Sequence, residues 1–247
     1  MPRLSRFVAL AAVFIGFKTH SSAQFIVERS PWLDSEEGRV VPIEQRWHVI
    51  DGTSLQGLSV DLIVEGIHPN RPVAMPVVTD TVVLLQPYRR YTRLCVEPGY
   101  MMHVDQFFAD PQSPTADTIP LEPLTIGLER DVPSIEFTGG GADDFQVYYG
   151  SLPTLETIVN FLQSHPTLRL AIIGHINAPG EEPDDVTCER LSRERARAVW
   201  EFLVTSGVSA SRLEIRGRGR EEMLFPNPTT PAQVDANRRI TLQVIDY

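Results

Sequence analysis

The order of hydrophobic and polar positions divides the chain into two parts. Up to about residue 127, short runs rich in valine, leucine and tyrosine alternate with proline- and arginine-containing breaks, as in VDLIVEGI, TDTVVLL and YTRLCVEPGYMMHV. Runs of this length and spacing predict a small antiparallel β-sandwich. The proline-rich residues 110–123 predict a loop followed by an extended lead-out toward a domain boundary.

After residue 128 the apolar positions take on helical spacing. The apolar side chains of residues 151–165 recur at i, i+3, i+4 and i+7, which predicts an amphipathic helix with Ser151 as its N-cap. A second helix is predicted over residues 188–207, and TPAQVDAN could hold one or two helical turns. SIEF, LRLAIIGHI, SRLEIRGRG and RRITLQVID predict strands. The order β-α-β-α-β-(α)-β predicts an α+β domain with helices packed on a mixed sheet.

The first 23 residues differ from both parts. Arg3 and Arg6 precede the 11-residue apolar run FVALAAVFIGF, and the small residues Ser21 and Ala23 precede Gln24. This layout predicts a secretory signal peptide cleaved before Gln24, with a buried N-terminal element as the alternative. No stretch is apolar for the ~18 residues that a transmembrane helix needs. The predicted domains are therefore a signal peptide (1–23), a β-sandwich (24–127) and an α+β domain (128–247).

Charge and cysteine content limit the classes of partner. The net charge is -10, and the predicted signal peptide contains three basic residues and no acid. Such an acidic protein has no field to attract phosphates, which argues against nucleic acid as a partner. Lys18 is the only lysine, so every later cation except histidine is an arginine. Cys95 and Cys188 could pair in an oxidising compartment, but they fall in different predicted domains, and two buried thiols are the preferred prediction.

The sequence contains no pattern typical of a catalytic or metal centre. There is no nucleophile–base–orienter set, no zinc-ligand spacing and no paired carboxylates in a plausible cleft, so we predict a non-enzyme without a cofactor. His103 and Asp105 have no third ligand near them in the sequence. His175 ends a buried strand and is predicted to be a structural, hydrogen-bonded histidine.

Four segments of the second half carry a resemblance to a known family. GHINAPG, CERLSRERARAV, GVSASRLEIRGRG and VDANRRITLQV follow one another in this order. Together they resemble the OmpA-like C-terminal domain, the peptidoglycan-associating module of many cell-envelope proteins, over about residues 130–247. TDTVVLL and YTRLCVEPGYMM resemble, less specifically, a carboxypeptidase-regulatory-like β-sandwich.

The resemblance implies a set of binding residues. In such domains an aspartate after the GH pair binds the ammonium group of diaminopimelate in the peptidoglycan stem peptide, and this chain has Asn177 there. The arginine that binds the carboxylate of the same ligand corresponds to Arg195. A pocket-lining asparagine is replaced by Cys188, and the asparagine and arginine of the NRR motif are Asn237 and Arg238.

The missing carboxylate leaves two possibilities for the loop. A neutral amide accepts a hydrogen bond from an ammonium group but supplies no charge, which weakens the contact by about 1–2 kcal/mol. The loop is longer than is usual in the family and contains Glu181, Glu182, Asp184 and Asp185. Asp184 or Asp185 could fold back to supply the anion, or the acids could form a solvated loop.

Two hypotheses about function follow from the resemblance. In the first, the chain is a non-catalytic envelope protein, exported to the periplasm with or without attachment to the outer membrane, that binds peptidoglycan non-covalently. In the second, the pocket has decayed and the domain is a scaffold or assembly component whose partners are other envelope proteins. Asn177 and Cys188 favour the second hypothesis, whereas Arg195, Asn237 and Arg238 favour the first.

Overall fold

The computed structural model describes residues 41–247 except 69–70, 79–80, 133–134, 139–145 and 181–183. The predicted signal peptide therefore lies outside the described residues. The first half forms seven strands: β1 (Ile43–Asp51), β2 (Val60–His68), β3 (Arg71–Val77), β4 (Thr81–Leu85), β5 (Arg90–Cys95), β6 (His103–Phe108) and β7 (Ala116–Leu121).

These strands form two sheets with a common core, as the alternating pattern predicts. One sheet has the order β4-β1-β7 and the other β3-β2-β5-β6. Alternate side chains point inward, so Trp47 and Val49 from the first sheet meet Leu62 and Val64 from the second in one buried cluster. Inward alternation along short strands therefore produces the predicted sandwich.

The sandwich differs from the prediction in one pairing. β1 runs parallel to β7, whereas the other neighbouring strands of the two sheets are antiparallel. A parallel pair needs a crossover, and here the intervening strands supply it. β7 lies in the stretch predicted as a loop and an extended lead-out; it pairs as a strand, with Ile119 and Leu121 pointing inward. Pro120 is compatible with this strand because β7 lies at the sheet edge.

The second half has the predicted order of elements. Its bounds are β8 (Glu129–Val132), β9 (Phe137–Thr138), β10 (Gln146–Val147), α1 (Leu152–Ser164), β11 (Arg169–Gly174), α2 (Asp185–Thr205), β12 (Leu213–Gly217), α3 (Pro231–Asn237) and β13 (Ile240–Asp246). The main sheet has the order β12-β11-β13-β8. β11 is parallel to β12 and antiparallel to β13, so the predicted mixed sheet is confirmed.

Two local predictions were wrong in detail, and a third was confirmed only in part. The strand beside β13 is β8 rather than SIEF; of the described residues of SIEF, Phe137 alone joins a strand, in a separate two-stranded pair with β10. Ser151 is the N-cap residue of α1, as predicted, but its hydroxyl accepts the backbone N–H of Glu136 at 2.9 Å and makes no capping bond to the helix. α2 begins at Asp185, ahead of the predicted start, because the side chain of Asp184 caps it.

The two halves share a hydrophobic core. Met101, Met102 and Val104 of the sandwich belong to the same buried cluster as Leu155 and Ile158 of α1. The backbone N–H of Gly99 also donates to Nε2 of His165 at 3.1 Å. The boundary near residue 127 therefore separates two segments of sequence that pack directly on each other.

Helix α2 lies directly against the ends of β11 and β12 because both strands end in glycine. A Cβ at Gly174 would overlap the backbone carbonyl oxygen of Ser192, and one at Gly217 would lie 2.5 Å from the carbonyl oxygen of Glu189. This close approach sets the next turn of α2, which contains Arg195, beside the loop that follows β11. In the described part of the chain, no helix has the combination of length and hydropathy that a membrane crossing requires.

Candidate functional site

The loop after β11 is fixed to the sheet by His175. Its backbone N–H donates to the carbonyl oxygen of Arg239 at 3.0 Å, and its Nε2 lies 3.0 Å from the hydroxyl of Thr241. Burial, with a contribution from the Arg239 charge, lowers the pKa of His175 to about 4. The ring is therefore neutral near pH 7 and structural, as predicted.

Asn177, in the same loop, is held by Asn237. The side chain of Asn237 is fully buried; its Oδ1 accepts the N–H of Phe225 at 2.8 Å and its Nδ2 donates to the carbonyl oxygen of Phe225 at 2.8 Å. These two bonds determine which side-chain atom of Asn237 is the oxygen and which is the nitrogen. The same Nδ2 donates to Oδ1 of Asn177 at 2.7 Å. Asn177 therefore uses its side-chain oxygen in this bond, and its side-chain N–H groups are not part of it.

Arg195 reaches the loop from α2. Its Nη1 donates to the carbonyl oxygen of His175 at 2.8 Å, and its Cζ lies 5.7 Å from the centre of the Phe137 ring. Burial and the neighbouring charge of Arg238 lower the pKa of Arg195 to about 10. An anion close to Arg195 would offset both of these effects.

Arg238 and Arg239 follow α3 and have different surroundings. Nε of Arg239 lies 3.0 Å from Oδ1 of Asp131, and its Nη1 donates to the carbonyl oxygen of Glu222. Arg238 is exposed and lines a surface depression. Within the described residues, no ion pair involves Arg238.

The other arginines at this end of the sheet are paired with acids. Arg216, Arg218 and Arg220 contact Glu214, Glu129 and Asp185 at 2.6, 2.6 and 2.8 Å, respectively. Ion pairing is therefore common among the arginines of this region.

The two acids predicted as candidates to replace the missing carboxylate have other contacts. Oδ1 of Asp184 accepts the N–H of Thr187 at 2.8 Å and so caps α2, which lowers the pKa of Asp184. Asp185 contacts Arg220, whose Nη1 also donates to the carbonyl oxygen of Gly180 at 2.5 Å. These contacts favour a structural role for both acids.

Cys188 lies beneath the loop. Its buried side chain packs with Ile176 and Ala178, and burial raises its pKa. Cys95 is buried in the sandwich core, and the two thiols do not form a disulfide, as predicted. The residue at position 188 thus contributes to packing under the loop.

A shallow depression adjoins Arg238 and was not predicted from the sequence. It is lined by residues 228–231, Val234, Asp235 and Arg238. Arg238 follows the last residue of α3 and caps its C-terminal end. Among the described residues, no group of His, Cys, Asp and Glu is arranged to hold a metal ion.

The predicted site residues therefore form two groups. Asn177 and Asn237 are joined by a hydrogen bond, Arg195 contacts the same loop through the carbonyl oxygen of His175, and Arg238 follows Asn237 in the chain. Cys188, Asp184 and Asp185 lie beside this group and take part in packing, capping and an ion pair.

Comparison with known proteins finds a family match over the residues that form this site. The model of the OmpA family matches residues 143–238. Probable lipoprotein YiaD of Escherichia coli (strain K12) is 30% identical over 89 residues, which are 36% of this chain and 39% of that protein. Photosystem I P700 chlorophyll a apoprotein A2 of Gloeobacter violaceus is 31% identical over 97 residues, 37% of this chain and 11% of that protein.

Among solved structures, the peptidoglycan-associated lipoprotein from Burkholderia pseudomallei is 22% identical, with a TM-score of 0.38, over 46% of this chain and 88% of that one. The periplasmic domain of Helicobacter pylori MotB is 13% identical, with a TM-score of 0.40, over 63% and 79% of the two chains. The chain spans less than half the length of both curated relatives. The family match begins at residue 143, so the resemblance of the first half to a carboxypeptidase-regulatory-like domain stays a prediction.

Proposed function

We propose that this chain, in which residues 143–238 form a domain of the OmpA family, is a non-catalytic protein of the bacterial cell envelope that binds peptidoglycan non-covalently. The ligand group would be the diaminopimelate end of a stem peptide, as the resemblance implied. Its place of action would be the periplasm, after export directed by residues 1–23. Attachment to the outer membrane is compatible with this role.

The observation that carries the proposal is the placement of Arg195 and Arg238 around one loop. The guanidinium of Arg195 is half-buried, and the charge of Arg238 contributes to the lowering of its pKa to about 10. A carboxylate between the two would relieve their repulsion and accept bidentate, charge-assisted hydrogen bonds. The N–H groups of Asn177 add further donors to the same surroundings. The arrangement supports binding of a carboxylate and includes no group placed for bond breaking.

A scaffold function is the second candidate, and the bonding of Asn177 favours it. Its carbonyl oxygen is already bound by Asn237, and Cys188 is buried beneath the loop. Both positions thus contribute to the internal structure of the domain. In that case the surface would contact other envelope proteins, and the arginines would have no cell-wall ligand.

A sedimentation assay with purified peptidoglycan sacculi separates the two candidates. The mature chain should co-sediment with sacculi, and Arg195→Gln should reduce the bound fraction because it removes one of the two cations. Arg197→Gln is the matched control, since Arg197 is an exposed arginine on the same helix that contacts Glu194. Failure of the unchanged protein to sediment with sacculi would exclude the peptidoglycan function and leave the scaffold candidate.

A further inference from the structure

Strand register places a buried polar group on the face of the main sheet opposite the helices. Ile173 pairs with Thr241, and Thr241 with Asp131, so these side chains share one face. His175 follows Ile173 by two residues and extends the same face. Leu242, the residue after Thr241, points the other way and belongs to the core beneath α1 and α2. His175, Thr241 and Asp131 therefore meet on the side of the sheet that no helix covers.

These residues and Arg239 form a closed cycle of hydrogen bonds. Nε2 of His175 lies 3.0 Å from the hydroxyl of Thr241, which donates to Oδ1 of Asp131 at 2.6 Å. Nε of Arg239 donates to the same Oδ1 at 3.0 Å, and the backbone N–H of His175 donates to the carbonyl oxygen of Arg239 at 3.0 Å. Because His175 and Thr241 are buried, the inner half of this cycle is shielded from water.

The cycle determines the tautomer of His175. A threonine hydroxyl has one proton, and the carboxylate of Asp131, ion-paired with Arg239, is an acceptor only. Since Thr241 donates its proton to Asp131, its oxygen accepts from His175, and the ring hydrogen of His175 is therefore on Nε2. Nδ1 has the lone pair; it is buried, and it has no hydrogen-bond partner among the described residues. A hydrogen on Nδ1 would be a buried donor without an acceptor, which costs free energy.

His175 connects this cycle to the binding loop and to α2. Its carbonyl oxygen accepts Nη1 of Arg195 at 2.8 Å, and Asn177 follows two residues later in the loop. The ring and the backbone N–H of His175 are both bonded to β13 or to the residue before it, so the carbonyl oxygen is held in one place. A change of tautomer would break the bond to Thr241 without altering any residue of the predicted site.

We propose that Thr241 is a positioning residue for peptidoglycan binding. Together with Asp131 it holds His175 in one tautomer and one orientation, and the carbonyl oxygen of His175 in turn orients Arg195 toward the ligand. This inference rests on the proposed function and adds to it two residues from the opposite face of the sheet. Thr241 is buried and acts only through His175.

Sedimentation of the full mature chain with purified sacculi tests this assignment. Thr241→Val removes the hydroxyl and leaves Nε2–H of His175 without its acceptor. We expect the affinity for sacculi to fall about three- to tenfold, the range of one hydrogen bond. Thr241→Ser keeps the hydroxyl and should bind like the unchanged protein. Thr157→Val is the matched control, because it removes another buried hydroxyl, which donates to Pro153 within α1, and should leave the affinity unchanged.

Asp131→Ala tests the same cycle from its exposed end. The side chain of Asp131 is 48% exposed, so this variant should fold even if Thr241→Val does not. Without Asp131, the hydroxyl of Thr241 can donate to His175, so the ring is no longer restricted to one tautomer and the affinity should fall in the same range. Glu214→Ala is the matched control, since it removes an acid that is paired with Arg216 on the same sheet.

Nitrogen NMR of the His175 ring at pH 7 measures the tautomer directly, which a loss of packing alone would not change. The unchanged protein and Thr241→Ser should have the hydrogen on Nε2, whereas Thr241→Val and Asp131→Ala should show the other tautomer or a mixture. A hydrogen on Nδ1 in the unchanged protein would overturn the assignment.

The remaining outcomes separate this inference from the proposed function. If the tautomer changes in the variants but sacculi bind them as well as the unchanged protein, the positioning role is wrong and the peptidoglycan function stands. An equal loss of affinity in Thr241→Ser or Thr157→Val would assign the effect to packing, which also overturns the positioning role. If the unchanged protein does not bind sacculi, the proposed function fails and the positioning role fails with it.

Discussion

Two arginines, one in each half of the molecule, are held in opposite electrostatic environments. Arg93 in the sandwich is only 4% exposed. Its Nε donates to Asp105 at 2.9 Å and its Nη1 to Asp117 at 2.6 Å. Burial lowers the pKa of Arg93, but the bonds and charges of the two acids outweigh this effect and raise the pKa above its ordinary value.

Arg195 is half-buried, its Nη1 donates to the backbone carbonyl oxygen of His175, and the charge of Arg238 helps to lower its pKa. Both guanidinium groups lie over aromatic rings, Arg93 at 5.0 Å from Trp47 and Arg195 at 5.7 Å from Phe137. The two arginines therefore differ in the neighbouring charges that shift their pKa. The two acids raise the pKa of Arg93, whereas burial and the charge of Arg238 lower that of Arg195.

Of the changes considered, removal of Arg93 should have the largest effect on stability. Arg93→Met leaves Asp105 and Asp117 without their cation at a site that is partly withdrawn from water. We expect the free energy of unfolding to fall by about 3–5 kcal/mol, as when one partner of a buried ion pair is deleted. Chemical denaturation monitored by circular dichroism measures this change. A loss below about 1 kcal/mol would mean that solvent already screens the two acids.

The two regions should also differ in how pH affects stability. The pKa of His175 is lowered to about 4 in the fold from an ordinary value of 6.5, so its neutral form stabilises the protein above pH 6.5. That contribution, up to about 3 kcal/mol, is lost as the pH falls from 6.5 toward 4. Denaturation at a series of pH values should show this slope in the unchanged protein, and His175→Gln should remove it.

Asp105 in the sandwich affects stability over a different pH range. Burial raises its pKa, but the neighbouring His103 ring and the Arg93 guanidinium outweigh burial and bring the pKa to about 2 from an ordinary 3.8. Its contribution is therefore complete above about pH 4 and is lost only as the pH falls toward 2. A slope between pH 6.5 and 4 that persists in His175→Gln would show that another group titrates in this range.

Substitution of Arg195 should separate binding from stability. Arg195→Lys keeps a donor that can reach the carbonyl oxygen of His175 but loses the planar fork. We expect the free energy of unfolding to change by about 1 kcal/mol or less, and the affinity for sacculi to fall at least about tenfold. Sedimentation and denaturation on the same samples measure both quantities. A loss of stability as large as that of Arg93→Met would make Arg195 a structural residue.

The sequence was sufficient to predict the elements that one period of apolar residues determines. Apolar alternation predicted the two sheets, and helical spacing at Leu155, Ile158 and Leu162 predicted α1. The parallel β1–β7 pair could not be predicted in this way, because strand direction depends on a crossover between sheets and leaves no mark on the alternation. The shared core of the two halves could not be predicted either. The sequence shows that Met101 is apolar, but not whether its buried side chain packs against the sandwich or against α1.

For the site, motif positions identified the residues that meet but not what each one bonds to. Arg195, Asn237 and Arg238 were found from their places in LSRERA and NRR, and Asn177 from its place after GH. The bond that turns the carbonyl of Asn177 toward Asn237 joins residues 60 positions apart, so no local pattern could reveal it. The acidic residues next to the loop drew attention to Asp184 and Asp185, although the acid on the depression is Asp235, far away in sequence.

The smallest expected effect comes from restoring the carboxylate at position 177. In Asn177→Asp, one carboxylate oxygen can accept the Nδ2 bond of Asn237 as the amide oxygen does now, so the loop should keep its structure. The added anion should tighten binding of a stem-peptide fragment with a free diaminopimelate end about two- to fivefold, the range of an exposed ion pair. Added salt should reduce this gain if the site is open to solvent. Calorimetry on the two proteins measures the change, and the same fragment with an acetylated amine is the control. An equal gain for the acetylated fragment would mean that the added carboxylate does not contact the ammonium group.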